Sequence, residues 1–129
     1  MKRAIILVDH GSRRHEANMI VADLAAMVAE RVADDTVVTY AHLELAEPDI
    51  ATALQACADA EVEEVIVHPL MLTPGRHATE DIPRIVKERA ADHPGLRCRV
   101  TAPLGAHGGI ADAVLDRCAC EDIGAEDRG

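Results

Sequence analysis

Aromatic side chains are almost missing from this chain: it has no phenylalanine and no tryptophan, and Tyr40 is its one tyrosine. Stacking of bases on aromatic rings, the usual grip on single-stranded nucleic acid, has almost nothing to use here. Excess positive charge is missing too. Thirteen Lys and Arg against 23 Asp and Glu give a formal net charge of -10, whereas phosphate binding needs a basic surface, so nucleic acid is not an expected partner. No run approaches the roughly 18 apolar residues of a membrane span. The charged start Met1, Lys2, Arg3 leads only into Ala4 to Val8 before Asp9, so neither a membrane segment nor a signal peptide is expected. The cysteines Cys57, Cys98, Cys118 and Cys120 form no CxxC pair and lack the density of a secreted scaffold. Reduced thiols in a cytoplasmic protein are the expectation.

What is present is an aliphatic core: 49% of the 129 residues are hydrophobic, enough for one domain and too few residues for two. Residues 1–118 are expected to form one α/β domain and 119–129 a short polar, frayed tail. The stretch from Val65 to Pro83 organises the rest. Val65, Ile66, Val67 and then Leu70, Met71, Leu72 form a nearly unbroken apolar run, which suits a strand covered on both faces. Thr73, Pro74 and Gly75 end it, and Thr79 is placed to cap a helix carrying Glu80 and Asp81 in its first turn and Pro83 near its start.

Before this stretch, Ala4 to Val8 reads as a first buried strand, left through Asp9, His10, Gly11 and Ser12. Ile20, Leu24, Met27 and Val28 recur at helical spacing between His15 and Val32, with Ser12 or a neighbour as the cap. Thr36 to Leu45 alternates as a strand, with Val37, Thr39, Ala41 and Leu43 on one face and Val38, Tyr40, His42 and Glu44 on the other. Pro48 opens a second helix whose inner face carries Ile50, Ala53, Leu54 and Cys57. After the organising unit, Arg97 to Ala102 reads as an edge strand, and a last helix carries Ile110, Val114 and Leu115 inward. Strand and helix thus alternate four times, which predicts a four-stranded parallel sheet with helices on both faces.

That order places His10, Glu44, His77 and His107 after four different strands, on one edge of the sheet, where open parallel sheets bind ligands. His10 and His77 stand out among the seven histidines because each follows an apolar strand and sits near a glycine. His15 and His93 read as surface residues, His42 as facing a helix, and His68 as a satisfied core residue. Neutral imidazole binds first-row divalent metals, and two imidazoles with open positions leave the ion free to be passed on. Glu44 is placed to share the ion or accept protons. Two histidines and a glutamate also match a hydrolytic zinc site, so the ligand types alone do not choose a reaction.

Asp9-His10-Gly11-Ser12, His42-Leu43-Glu44-Leu45-Ala46-Glu47-Pro48, Pro69-Leu70-Met71-Leu72, Gly75-Arg76-His77-Ala78-Thr79-Glu80-Asp81-Ile82-Pro83 and Pro103-Leu104-Gly105-Ala106-His107 occur in this order. Together they resemble the CbiX-type sirohydrochlorin chelatases, over about residues 3 to 118. The resemblance implies a chelatase fold and a lyase that inserts cobalt, iron or nickel into sirohydrochlorin, in cobalamin, siroheme or related tetrapyrrole biosynthesis. It implies His10 and His77 as metal ligands and Glu44 as the glutamate of the second motif. The metal is a substrate, and no permanently bound cofactor is implied. Asp9 stands where relatives often have a small residue. The chain also resembles the short form that works as a homodimer with the site between subunits.

A macrocycle bearing several carboxylates must overcome the charge of -10, so local cations are needed. Arg13, Arg14 and Arg76 are the candidates, with Ser12, Glu80 and His107 as further substrate contacts. The alternative is a non-catalytic metal or tetrapyrrole carrier using the same edge. A phosphotransferase built on His10 is weaker, because Asp9 stands where phosphate binding wants an arginine.

Overall fold

The computed structural model describes residues 1–33, 35–73 and 75–124, and for His77 the backbone only. The elements run β1 (Arg3–Asp9), α1 (His15–Ala29), β2 (Val37–His42), α2 (Ile50–Asp59), β3 (Glu64–Pro69), α3 (Arg76–Ala90), β4 (Arg97–Val100) and α4 (Gly108–Cys118). The strands form one parallel sheet in the order β2-β1-β3-β4. The expected fold class is therefore observed, with β4 at an edge.

Alternation along β1 divides the core. Ala4, Ile6 and Val8 pack with Ile50 and Leu54 of α2 and Ile82 and Val86 of α3, while Ile5 and Leu7 pack with Val21 and Ala25 of α1. Ile6, Val8 and Leu54 have no exposed surface. The larger cluster lies on the α2/α3 side, so that layer contributes most of the apolar burial.

β2 ends at His42 and not Leu45, β4 at Val100 and not Ala102, and α1 at Ala29 and not Val32; four further boundaries differ from the sequence reading for a local reason. β3 stops at Pro69, and Leu70 to Leu72 leave the sheet as a loop; the apolar run was continuous in composition but not in backbone. α3 starts at Arg76, capped by the Gly75 backbone, so Thr79 lies inside it, where its hydroxyl donates to Gly75 O at 3.1 Å. Glu80 and Asp81 fall in the second turn and Pro83 is internal. α2 is capped by Asp49, whose carboxylate accepts from Thr52 N at 2.8 Å, with Pro48 outside the helix. That bond to the Thr52 backbone holds the Asp49 carboxyl below its ordinary value. α1 has Arg14 at its N-cap with no side-chain bond, so Ser12 does not cap it.

Two helices turn differently from expectation. α1 buries Val21 and Ala25, with Leu24 and Val28 packed beside them, which leaves Ile20 and Met27 on the outside. α4 buries no residue: Ile110 is half-buried and Val114 and Leu115 are exposed. Its apolar stripe is left open among the described residues. Helices lie on both faces of the sheet through α1 on one side and α2 and α3 on the other. Among the described residues no helix is long and apolar enough to cross a membrane, and the four cysteines are free thiols. Residues 125–129 of the expected tail, with Asp34 and Pro74, lie outside the described residues.

Candidate functional site

α1 carries the chain from β1 outward to β2 on one face, and α2 and α3 carry it the other way on the opposite face. The crossovers therefore diverge between β1 and β3, and a cleft opens beyond the carboxyl ends of those strands. His10 leaves β1 at this point.

The exits of β1 and β2 are tied together. Leu43 N donates to Asp9 O at 2.9 Å and Glu44 N to His10 O at 3.1 Å, extending the parallel ladder past both strands. Gly11 makes this approach possible. Its φ is +87°, and a Cβ there would stand 1.8 Å from Glu44 O, so only glycine fits. Leu45, with φ of 70°, takes the left-handed conformation directly after Glu44; backbone strain of this kind costs about 1–3 kcal/mol and persists where surrounding structure enforces it. The loop is thereby fixed in a shape that the local sequence does not favour.

His10 borders two hollows. One, of about 460 Å³, lies between the ends of β1 and β3 and is walled by Asp9, Ser12, Asn18, Leu70 and Met71. The other, of about 500 Å³, lies toward α3 and is lined by Glu44, Gly75, Ala78, Asp81 and Ile85. Each combines apolar side chains with a few polar groups and includes His10 in its lining, the usual composition of a small-molecule site.

The structure thus brings His10 and Glu44 to one cavity. His77 is in the first turn of α3, next to Gly75 and Ala78 of that cavity's wall; its side chain lies outside the described residues. Ser12 lines the first hollow, with its hydroxyl accepting from Arg14 N at 3.0 Å. Arg14 pairs with Glu16 at 3.4 Å and Arg76 with Glu80 at 3.3 Å, all four side chains exposed. Arg13 is exposed as well. None of these three arginines borders either hollow, and neither does Glu80. His107 is the N-cap of α4, with its Nδ1 accepting from Gly109 N at 2.8 Å, and it is not brought to the cavity.

Three participants escaped the sequence reading. Asp81, not Glu80, faces the cavity, and it pairs with Arg84 at 3.2 Å; helical phase from Arg76 would have found it had the helix start been known. Asn18 clasps the β1 exit loop, accepting from Ser12 N at 2.9 Å and donating to Ser12 O at 2.7 Å. His42 is buried against Asp9, with Nδ1 donating to Oδ1 at 2.6 Å. His68, as expected, is a satisfied residue: its Nδ1 donates to Thr101 Oγ1 at 2.8 Å, and burial lowers its pKa. Among the described residues no group of three or more His, Cys, Asp or Glu is arranged around one metal position. His10, Glu44 and Asp81 all line the cavity beside α3, with Asp81 held by Arg84.

The CbiX family model matches residues 4–121. A chloroplastic sirohydrochlorin ferrochelatase from Arabidopsis thaliana is 42% identical over 113 residues, 88% of this chain and 50% of its own length. A sirohydrochlorin cobaltochelatase from Methanococcus maripaludis is 31% identical, with 88% of this chain and 96% of its own length aligned. The crystal structure of the sirohydrochlorin chelatase SirB from Bacillus subtilis subspecies spizizenii, in complex with cobalt, superposes with a TM-score of 0.81 at 33% identity, over 92% of this chain and 50% of that one. The chain therefore spans about half the length of the ferrochelatase and of SirB, and nearly the whole of the cobaltochelatase. With the family model matching residues 4–121, the chain belongs to the CbiX family.

Proposed function

We propose that this protein is a chelatase that inserts a divalent metal, cobalt, iron or nickel, into sirohydrochlorin. The observation that carries the reading is His10 at the β1/β3 divergence, bordering both hollows and sharing one with Glu44. Relatives named as ferrochelatases and cobaltochelatases support the reaction and leave the metal open. Cobalt, iron and nickel fit similar nitrogen and oxygen sites, so availability rather than ligand set selects among them.

Insertion exchanges two pyrrole protons for one metal dication and strips water from the ion. His10 receives the partly dehydrated ion, with His77 as second ligand from the start of α3. Glu44 accepts one pyrrole proton across the same cavity, passes it to solvent and then accepts the second, while Asp81, paired with Arg84, lines the same wall. Fixed dipoles and apolar walls take the place of the displaced water.

The working unit is a homodimer in the cytoplasm, with sirohydrochlorin and the metal as its small-molecule partners. Two features support the second copy: the matched ferrochelatase is about twice as long, and α4 leaves Val114 and Leu115 exposed. A two-fold pair supplies a second wall to a cleft that one lobe leaves open.

Anaerobic assay of the purified protein with sirohydrochlorin and each metal, followed by absorbance, tests the activity. Wild-type protein should accelerate insertion, and His10→Ala should lower the rate by roughly two orders of magnitude or more, as expected when a metal-holding group is lost. Binding of metal or macrocycle without acceleration would make the protein a carrier instead.

A further inference from the structure

Asp9 and His42 are register partners at the carboxyl ends of β1 and β2. His42 is 1% exposed, and its Nδ1 donates to Asp9 Oδ1 at 2.6 Å. The Tyr40 ring stands edge-on to the imidazole with centroids 5.7 Å apart, which limits its rotation. A bond this short between an N–H and a carboxylate belongs to the strong, charge-assisted kind.

The position of the carboxylate makes the pair more than a strand tie. Asp9 and His10 border the same hollow of about 460 Å³, and the Asp9 side chain keeps 21% of its surface open. A carboxylate lining the same hollow as a metal-receiving imidazole is a ready ligand for a divalent cation. Here Oδ1 of that carboxylate is engaged by His42. For a protein that must hand its ion to a macrocycle, an additional anionic ligand tightens binding and slows release.

We infer that His42 is a positioning residue that holds the Asp9 carboxylate away from the metal received by His10, keeping the ion loosely enough bound to be passed on. The inference rests on the chelatase reading for its purpose. The Asp9–His42 contact stands independently of it.

Cobalt(II) alone, titrated into the purified full chain by calorimetry and by visible absorption, tests this without turnover. His42→Leu keeps apolar volume at a buried position and frees the carboxylate. Cobalt affinity should rise about tenfold or more, the scale on which ligand-orienting partners act, with a changed cobalt spectrum and slower insertion into the macrocycle. Asp9→Asn alone should leave cobalt affinity within about twofold, since the carboxylate is not a ligand in the native protein. The double variant Asp9→Asn/His42→Leu should return to wild-type affinity. His42→Asn, whose amide nitrogen stands near the Nδ1 position, should rescue both affinity and rate. If circular dichroism shows His42→Leu unfolded, His42→Gln takes its place, because its amide nitrogen stands near the Nε2 position and cannot reach Asp9 in the same way. Weaker or unchanged cobalt binding in the folded His42 variant, or weakened binding in Asp9→Asn, would overturn the inference and leave the chelatase reading intact. Wild-type protein that binds none of cobalt, iron and nickel would overturn both.

Discussion

At the scale of single residues, the site depends on one missing atom. Gly11 has no Cβ, and that lets the Glu44 carbonyl lie where a Cβ would otherwise collide at 1.8 Å. Gly11→Ala forces the β1 and β2 exits apart and also strains a φ of +87°. It should lower stability by about 2 kcal/mol or more, on the scale of a severe backbone effect, and lower insertion rate further than that loss explains. Thermal melts compared with the assay separate the two. Thiol chemistry gives another test at this scale. Cys57 is buried, and burial pushes its pKa up to about 11, whereas Cys118 and Cys120 are exposed. Alkylation of the folded protein at mildly basic pH should label Cys120 and spare Cys57 until denaturant is added; peptide mass mapping reads the outcome.

At the scale of elements, the helix starts set what faces the cavity. α3 begins at Arg76, and a start three residues later, at Thr79, would put a different carboxylate inward; the observed phase selects Asp81. α2 is held by the Asp49 cap, and Asp49→Ala should cost about 1 kcal/mol in a urea titration. The sign of that cap's pH dependence follows from its lowered pKa: its stabilisation is present above the ordinary carboxylate value and lost as pH falls through the folded one. β3 contributes a second pH dependence. Burial lowers the His68 pKa from 6.5, so the unfolded chain takes up this proton while the folded chain does not. Stability therefore falls as pH drops below the ordinary imidazole value. His68→Gln, which keeps a donor for Thr101, should show a smaller fall in urea midpoint between neutral and mildly acidic pH than wild type. An equal fall in both proteins would show that other groups carry the effect.

At the scale of the whole molecule, a sheet with three well-packed helices leaves one helix over. α1 covers β1 and β2 on its side, while Ile66 of β3 is only half-buried and Arg99 of β4, its register partner, is exposed. α4 leaves Val114 and Leu115 exposed as well, so the described residues carry more than one open apolar surface. Light scattering or analytical ultracentrifugation at micromolar concentration should give the mass of a dimer. Val114→Ser together with Leu115→Ser should shift it toward monomer, because each removes on the order of 1–2 kcal/mol of apolar burial per copy. A wild-type monomer with full chelatase activity would remove the dimer from the proposal.

The sequence alone determined the order of four strands and four helices, because apolar strands, turn residues and helical periodicity are local patterns that one chain must write in its own letters. It also determined that His10 and Glu44 leave strand ends on one edge, since in a parallel sheet the strand order carries that consequence. The family's motifs were legible for the same reason. Tertiary structure decided what local pattern cannot encode: that Asp81 and not Glu80 faces the cavity, that His42 lies against Asp9 and not simply against a helix, that His107 caps α4, and that Ile20, Val114 and Leu115 stay outside. Each depends on which surface meets another across the sheet. An apolar residue at the right period states only that some face is to be covered, and the packing of distant segments settles which one.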